Sequence, residues 1–512
     1  MAWTCGYVTQ LDYSYGYYRE LNPAMLRLVC LCSAIEPQLR DRPTYLELGF
    51  GQGLSINLHA AATDGRFWGT DFNPGQAVRA RELAAASGAD LHLLDDSFEE
   101  FAARTDLPDF DIIALHGIWS WISDANRRTI LDIIRRNLRA GGVVYVSYNC
   151  LPGWAPAIPV RQLMALYGDY GGGQMTAPLG AVDGALQFSA DVLKAGSRYF
   201  RENPSAAHHF ERLSKQSRNY IAHEYLNADW YLVHFSDMAR SLQEAKLSFV
   251  GSARLMDRID GMHLTEDGRK LLSGIGHPVL RETVRDYLVN QRFRCDVFVK
   301  GPRSISGPRQ RDAWHAQQFV LTRCPEDIPK KIGGSLGEFE LSKEIYDPVI
   351  TVLSESSYAP KRIDDLMASP KLRGIKMNDV VEALVVLTGA GFVSPAQSIT
   401  EEIIERCQAL NQHICRQALM STDLAYLASP VSGGGILVPH ICQLFMLALQ
   451  QGKSNVAELA NFVWEVLDSV GERLMRDGKR VQSNEENIEE FRSMAHRFLN
   501  RTLPLLQALK VL

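Results

Sequence analysis

The stretch Glu47-Leu48-Gly49-Phe50-Gly51-Gln52-Gly53 decides the fold, because it joins a short apolar strand to a helix. The strand is predicted over residues 44–48 and the helix over 54–62. Glycines at alternate positions let the backbone turn sharply and approach a ligand closely, since no Cβ intervenes. The next predicted strand ends in Asp71, 20 residues after Gly51. A carboxylate at that place can accept hydrogen bonds from both ribose hydroxyls of an adenosine ligand.

The glycine spacing distinguishes between classes of adenosine ligand. A dinucleotide fingerprint is G-x-G-x-x-G, whereas this loop has G-x-G-x-G and Leu54 replaces the last glycine. No Gly-Lys-Ser/Thr follows these glycines, which excludes a phosphate-binding P-loop here. The loop resembles motif I of the class I S-adenosylmethionine-dependent methyltransferases, E/D-x-G-x-G-x-G, with Glu47 as its acid. The resemblance implies S-adenosyl-L-methionine as the cofactor, with the loop around its methionyl part and Asp71 on its ribose.

Composition and length narrow the class of protein. With 512 residues the chain is long enough for about two to four domains. A net charge of -5 provides no basic field, so no nucleic-acid partner is expected. Nine scattered cysteines without a Cys-x-x-Cys pair predict reduced thiols. Short apolar runs and the absence of a signal peptide predict a cytoplasmic protein that does not insert into a membrane.

Strands and helices alternate from residue 44 to 148, which predicts an α/β fold with a doubly wound, Rossmann-like sheet. The strand candidates are 44–48, 67–71, 91–94, 110–115 and 142–148. Two further strand patterns, 247–253 and 292–299, come much later and would complete the same sheet. The domain is therefore predicted over 44–300, with a helical insertion over about 155–235.

The remaining sequence predicts four further segments. Residues 1–43 form an aromatic-rich segment that is expected to act as a lid over the ligand. Residues 301–341 begin with a run rich in Pro, Gly and Ser and are predicted to be a linker. Three helix patterns and a short strand predict a winged-helix-like domain over 342–398, whose candidate recognition helix has no Lys or Arg and argues against DNA binding. Residues 399–512 are predicted to be a mostly α-helical domain.

Aromatic clusters after the fourth and fifth strands, together with the lid, are expected to meet at one edge of the sheet. Methyl transfer is an in-line displacement that depends on alignment in a dry pocket more than on acid–base help. We assign this positioning role, as the catalytic set, to His116, Trp119, Trp121, Tyr148, Asn149 and Trp154. Each aromatic residue alone is commonly a packing residue, and of the two roles open to His116, lining the methionine part of the cofactor is favoured over acting as a general base.

The tyrosine-rich amino terminus and segments 47–53, 116–121, 148–154 and 221–227 resemble bacterial methyltransferases with a methyltransferase regulatory domain. Rickettsial protein-lysine methyltransferases of an outer-membrane protein belong to that group. The resemblance implies methyl transfer to a Lys amine of a protein, such as an outer-membrane or surface protein before export, and a homodimer. The cofactor contacts that it implies are Tyr13, Tyr18, Glu47, Gly49, Gly51, Gly53, Asp71, Phe72, Asp96, Ser97 and His116. The substrate contacts that it implies are Tyr17, His223, Glu224 and Tyr225.

Two other functions stay open on the sequence. One is O- or N-methylation of a small molecule or glycan, and the other is a non-catalytic regulatory protein that binds the cofactor without turnover. No metal is expected, because no second His follows His223-Glu224 at the spacing of His-Glu-x-x-His. The glycine loop and Asp71 are compatible with all three functions, which differ in the acceptor and in turnover.

Overall fold

A seven-stranded sheet forms the centre of the amino-terminal half of the computed structural model, which describes residues 15–171, 178–476 and 479–512. Its order is β3-β2-β1-β4-β5-β7-β6, with β1 to β5 parallel and β7 antiparallel to both of its neighbours. The strands are β1 Thr44–Leu48, β2 Arg66–Thr70, β3 Leu91–Leu94, β4 Phe110–Leu115, β5 Leu138–Asn149, β6 Leu247–Ser252 and β7 Phe293–Lys300. The predicted Rossmann-like sheet is confirmed.

Helices cover both faces of this sheet, as the alternating sequence predicts. They are α1 Pro23–Cys32, α2 Leu54–Ala62, α3 Pro74–Ser87, α4 Phe98–Ala103 and α5 Asp124–Asn137. Local sequence sets their ends: the Asn73 side chain accepts a hydrogen bond from the Gly75 N–H at the start of α3, and Pro74 takes the first helical position. The helix stops at Gly88, which has a left-handed φ of 64°.

A helical insertion follows β5 and has a hydrophobic core of its own. Its helices are α6 Ile158–Tyr170, α7 Pro178–Lys194, α8 Arg198–Glu202, α9 Pro204–Leu213 and α10 Arg218–Tyr225. The chain then returns to the sheet and adds four helices around β6 and β7. These are α11 Phe235–Gln243, α12 Asp260–His263, α13 Glu266–Ser273 and α14 Pro278–Val289.

The segment after β7 is structured and is not the linker that its composition predicts. Its elements are α15 Gly307–Ala316, β8 Gln318–Leu321, β9 Lys331–Gly334, β10 Gly337–Glu340, α16 Lys343–Tyr358, β11 Lys361–Arg362, α17 Ile363–Ala368, α18 Met377–Ala390 and β12 Val393–Pro395. Strand β8 pairs with β11 and β12, so it belongs to the small unit that follows it. The Pro/Gly/Ser-rich run marks only the turn before α15, where Pro308 lies in the first helical turn. Residues 342–398 contain the three helices α16, α17 and α18 and the strands β11 and β12.

The carboxyl-terminal region is mainly helical, with two short hairpins. Its elements are α19 Glu401–Gln417, β13 Tyr426–Ser429, β14 Gly434–Leu437, α20 His440–Gln450, α21 Val456–Ser469, β15 Met475–Arg476, β16 Lys479–Arg480, α22 Asn484–Arg497 and α23 Leu503–Ala508. One continuous core joins this region to α1, α2 and one face of the sheet. Among the residues described, no helix is long and apolar enough to span a membrane.

A buried ionic cluster ties the last strand to the helices that precede it. The Arg294 guanidinium on β7 contacts carboxylate oxygens of Asp296 at 2.8 Å, Asp286 at 2.6 Å and Glu282 at 2.9 Å. Tyr148 on β5 donates a hydrogen bond of 2.6 Å from its hydroxyl to Asp296. Arg294 is only 5% exposed, so its charge depends on these partners.

We expect Arg294→Met to lower the free energy of unfolding by roughly 3–5 kcal/mol, because buried carboxylates lose their only strong cation. Denaturant unfolding followed by circular dichroism measures this loss. The matched control is Arg240→Met, since Arg240 pairs with Asp237 on the surface of α11 and should change stability by no more than about 0.5 kcal/mol. Equal effects of the two substitutions would contradict this account of the cluster.

Candidate active site

A cavity of about 350 Å³ opens at the carboxyl ends of β1, β2, β4 and β5. The glycine loop, the residues just before α1, the loop after β4 and helix α10 of the insertion line it. Of the residues predicted to form the site, the cavity brings together Tyr18, Glu47, Gly49, Gly51, Gly53, Asp71, Phe72, Asp96, Ser97, His116, Trp121, Asn149, His223 and Glu224. Tyr13, a further predicted cofactor contact in the lid, lies outside the described residues.

The glycine loop presents bare backbone to this cavity. The Gly49 N–H donates to the Thr70 carbonyl oxygen at 2.8 Å, which fixes the loop against the end of β2. Gly51 has a φ of +58°, and a Cβ built on it would meet no atom within 4 Å. Such a Cβ would therefore project into the open cavity, so the glycine leaves space for a ligand that lies against the loop.

Asp71 lies at the end of β2 with part of its hydrogen-bonding capacity unused. Its Oδ2 accepts the Gly51 N–H at 2.8 Å, and its Oδ1 accepts the Asn73 N–H at 3.0 Å. A carboxylate has about four acceptor sites, so each oxygen retains one for a ligand. Burial raises the pKa of Asp71 to about 6. This geometry suits a ligand with two neighbouring hydroxyl groups.

Glu47 is a buried carboxyl group at the end of β1, only 3% exposed. Its hydrogen-bonding neighbour is the Tyr45 hydroxyl, which is 3.4 Å away. Burial raises the pKa of Glu47 to about 8, and the neighbouring Asp71 raises it further in the same direction. A positively charged ligand group in the cavity would favour its carboxylate form.

Asp96 and Ser97 lie on the cavity wall after β3. Asp96 forms an ion pair of 3.1 Å with Arg104. Ser97 caps α4, because its hydroxyl accepts the Glu100 N–H at 3.2 Å while the Glu100 carboxylate accepts the Ser97 N–H. The wall is thus fixed in place by its own local interactions.

Tyr18 and His116 stack across the cavity, with ring centroids 3.7 Å apart. The Tyr18 N–H donates to Ser55 Oγ at 2.9 Å, which fastens the amino-terminal segment to the start of α2. His116 Nδ1 is 2.8 Å from the Tyr145 hydroxyl. Burial lowers the pKa of His116 to about 3, so the imidazole is neutral near pH 7 and a weak base. These contacts suit a lining role for His116.

The far side of the cavity combines the ends of β4 and β5 with helix α10. Trp121 and Asn149 line it from the sheet, and Glu224 lines it from α10. The Asn149 side chain interacts with the Glu224 carboxyl group and lowers its pKa, against the larger effect of burial. Burial raises the pKa of Glu224 to about 7. This side is distinct from the glycine loop and offers a second binding region in the same cavity.

Several residues that line this side of the cavity are not among the predicted site residues. Asp229 and Asn227 follow α10, Asn126 lies on α5 and Phe293 begins β7. Asp229 was within reach of sequence reasoning, because it stands five positions after the predicted Glu224. Phe293 had no local signal, since only the pairing of β7 beside β5 brings it to the cavity.

Three aromatic residues assigned to the pocket belong to the core instead. Trp119 is 2% exposed and packs behind β4 and β5, while Trp121, two positions later on the same turn, faces the cavity. Tyr148 is 1% exposed and binds Asp296, because side chains alternate along β5 and only Asn149 points to the cavity. Trp154 packs edge-on against Trp230 in the core of the insertion.

Two of the predicted substrate contacts also lie outside the cavity lining. Tyr225 is buried in the core of the insertion, where its hydroxyl is 2.6 Å from His209 Nε2. Tyr17 is packed between His59 of α2 and Tyr426 of β13, with ring centroids 5.4 and 4.8 Å away. Both aromatic rings pack against other rings inside the protein. Tyr225 and Tyr17 therefore have structural roles, and their prediction as substrate contacts is wrong.

The described lining of the cavity has a one-sided charge. It contains six carboxyl groups and no Lys or Arg: Glu47, Asp71, Asp96, Glu99, Glu224 and Asp229. No cluster of three or more potential metal ligands occurs among the residues described. The electrostatics of the site therefore favour a cationic ligand over a phosphate or a carboxylate.

Comparison with known proteins identifies two matching families. Residues 46–142 match the family described as a methyltransferase domain, which covers β1 to the start of β5. Residues 217–300 match the predicted methyltransferase regulatory domain, which covers α10 to β7. The glycine loop and Glu224 thus come from different matched segments.

Relatives and solved structures extend this match to the whole chain. An uncharacterized protein of Synechocystis sp. is 38% identical over 100% of both chains. An uncharacterized protein of Rickettsia prowazekii is 21% identical over 95% of this chain and 90% of its own length. The structure of PKMT2 from Rickettsia typhi in complex with AdoHcy has the same fold, with a TM-score of 0.70, 18% identity and coverage of 98% of this chain and 100% of that chain. The chain therefore belongs to the class I S-adenosylmethionine-dependent methyltransferases that carry a methyltransferase regulatory domain.

Proposed function

We propose that this methyltransferase transfers the methyl group of S-adenosylmethionine to Lys side chains of a protein. The observation that carries the proposal is the composition of the cavity wall, which presents six carboxyl groups and no Lys or Arg among its described lining residues. Both the sulfonium cofactor and a Lys side chain are cations, so this lining attracts both. A phosphate or carboxylate acceptor would be repelled.

The near side of the cavity fits the cofactor. Gly51 leaves open space beside the loop, and Asp71 retains an acceptor site on each oxygen for the two ribose hydroxyls. Glu47 lines the same cavity, and we propose that its carboxylate faces the cationic part of the cofactor. The AdoHcy in the PKMT2 structure of Rickettsia typhi supports a nucleoside in this cavity. When bound, the cofactor supplies an electrophilic methyl group.

The far side of the cavity suits an amine. Trp121 offers an apolar wall, and Asn149, Glu224 and Asp229 offer acceptors for N–H groups. Alignment of the acceptor nitrogen with the methyl carbon in a water-poor site supplies much of the rate, since little acid–base chemistry is needed at carbon.

We also propose that the protein acts in the cytoplasm as a homodimer on an acceptor such as a surface protein before export. The eight cysteines in the described part of the chain are all free thiols, which supports a reducing compartment. Light scattering of the purified protein gives its mass and thereby its oligomeric state.

Incubation of the purified protein with methyl-labelled S-adenosylmethionine and a cell lysate should place label in protein, recovered as methyl-lysine after acid hydrolysis. Mass spectrometry of the labelled band then identifies the acceptor. Label confined to small molecules would instead support a small-molecule or glycan methyltransferase. Cofactor binding by calorimetry without any S-adenosylhomocysteine production would support a non-catalytic regulatory protein.

Asp71→Ala should weaken S-adenosylmethionine binding by roughly 1–3 kcal/mol, because the ribose hydroxyls lose charged acceptors. Isothermal calorimetry measures the dissociation constant. The matched control is Asp132→Ala, since Asp132 pairs with Arg135 on the exposed face of α5 and should bind the cofactor like the wild type. An unchanged dissociation constant for Asp71→Ala would refute the placement of the ribose.

Glu47→Gln should stabilise the cofactor-free protein at pH 8 while weakening cofactor binding. Because burial raises the pKa of Glu47 from 4.5 to about 8, the native state holds this proton more tightly than the unfolded state. Wild-type stability therefore falls as the pH rises from about 4.5 to 8, and the amide variant escapes a loss of roughly 4 kcal/mol.

Thermal unfolding midpoints of the two proteins at pH 5 and pH 8 measure this difference. Glu211→Gln is the matched control, because Glu211 is exposed on α9 and away from the cavity. It should keep the wild-type pH dependence. If the unfolding midpoints of Glu47→Gln and wild type change equally between pH 5 and pH 8, Glu47 does not carry a buried charge.

A further inference from the structure

The far side of the cavity contains a carboxyl group whose position is set by the sheet. Glu224 on α10 and Asn149 at the carboxyl end of β5 line the same cavity, and the Asn149 side chain interacts with the Glu224 carboxyl group. Asn149 is 5% exposed, and its backbone N–H donates to Ser120 Oγ at 2.9 Å. The Asn149 carbonyl accepts the Val233 N–H at 3.2 Å. The backbone of Asn149 is therefore fixed at the sheet edge that carries the glycine loop, and Glu224 lines the same cavity.

The other ionisable groups near this position are poorer proton acceptors. His116 is stacked on Tyr18, has Nδ1 beside the Tyr145 hydroxyl, and has a pKa lowered by burial to about 3. Burial raises the pKa of Tyr18, Tyr220 and Tyr225, three tyrosines whose pKa the Glu224 charge also raises, so their hydroxyl groups are neutral near pH 7. Asp229 is the second carboxylate on this side, and the described lining has no Lys or Arg.

We propose that Glu224, positioned by Asn149, removes a proton from the acceptor ammonium before methyl transfer. This role rests on the proposed function, because it requires an amine acceptor. A Lys ammonium has no lone pair and must become neutral to react. The carboxylate oxygen takes one N–H proton, which leaves a neutral amine and a neutral carboxylic acid.

The acceptor nitrogen then forms a bond to the methyl carbon as the carbon–sulfur bond breaks and its electron pair stays on sulfur. The product is a protonated methylamine, and its positive charge replaces the one lost from the sulfonium. Glu224 afterwards returns its proton to solvent. No oxidant, metal or further reactant takes part in these steps.

The local environment makes this proton transfer easier than it would be at an exposed carboxylate. Burial raises the pKa of Glu224 to about 7, whereas an ordinary Glu has about 4.3 and a Lys ammonium about 10.4. The difference between the pKa of the Lys ammonium and the pKa of the Glu224 carboxyl group therefore shrinks from about 6 to about 3. This makes the equilibrium constant for proton transfer roughly a thousandfold more favourable. Desolvation of the ammonium narrows it further.

The test compares wild type, Glu224→Gln, Asp229→Asn and the control Glu211→Gln from pH 6 to pH 10. Each full-length protein transfers labelled methyl to lysate protein, and calorimetry measures S-adenosylmethionine affinity. Glu224→Gln should lose about 100-fold or more of the methyl-transfer rate at pH 7.5. The loss should shrink as the pH approaches 10, because the acceptor amine then loses its proton to solvent. Glu224→Gln should bind S-adenosylmethionine with the wild-type affinity. The control Glu211→Gln should have the wild-type rate of methyl transfer.

Infrared difference titration gives a readout that does not depend on turnover. The wild-type spectrum minus the Glu224→Gln spectrum should contain a protonated carboxyl band that disappears as the pH rises through about 7. Asn149→Ala should shift this band and lower the methyl-transfer rate.

Three results would overturn the role of Glu224. They are an equal loss of rate at every pH, no loss at all, or the pH-dependent loss in Asp229→Asn instead. If the wild type labels no protein although it binds the cofactor, the proposed lysine acceptor fails and the role of Glu224 fails with it. If the wild type labels protein while Glu224→Gln keeps the wild-type pH profile, only the role of Glu224 fails.

Discussion

The complete burial of helix α2 is the constraint on which the site depends. All nine residues of Leu54–Ala62 are buried, between the sheet on one side and β13, β14 and α19 of the carboxyl-terminal region on the other. Because α2 follows the glycine loop directly, its position sets the direction in which that loop faces the cavity. Burial of this kind leaves the last carbonyl groups of a helix without water, so they need partners from the protein.

Side chains from the distant end of the chain supply those partners. Cys407 Sγ donates to the Ala61 carbonyl at 3.4 Å, Gln397 Nε2 donates to Ala62 at 2.6 Å and Arg406 donates to Thr63 at 3.4 Å. Tyr17 continues the same contact, because it is packed between α2 and Tyr426 while its neighbour Tyr18 enters the cavity. The carboxyl-terminal region is thus part of the support of the active site.

The sequence predicts the parts of this structure that local patterns determine. The positions of β1, α2, β3 and β4, and Asp71 at the end of β2, follow from apolar runs and glycine punctuation within a few residues. The direction in which each side chain points is harder to predict from the sequence. Tyr148 and Asn149 were both assigned to the pocket, although consecutive residues of a strand point to opposite faces and only one of them could lie there.

Long-range packing accounts for most of the remaining errors. Trp154 and Tyr225 carry the residue types expected of a pocket, yet the insertion needs large side chains for its own core. Phe293 reaches the cavity only through the pairing of β7 with β5. The supposed linker contains β8, whose partners β11 and β12 lie about 40 and 75 residues later, beyond any local signal.

The capping of α2 by Gln397, Arg406 and Cys407 has a consequence for the genetics of this protein. These three positions are more than 300 residues from the glycine loop in sequence. Substitutions there would nevertheless weaken cofactor binding, because they remove the support of α2. A saturation screen scored for enzymatic output would therefore place its sensitive positions in two separated blocks of the gene, one at the nucleotide-binding turn and one near the end. Deletion or exchange of this carboxyl-terminal segment would disable catalysis, although none of its described residues contacts the reactants.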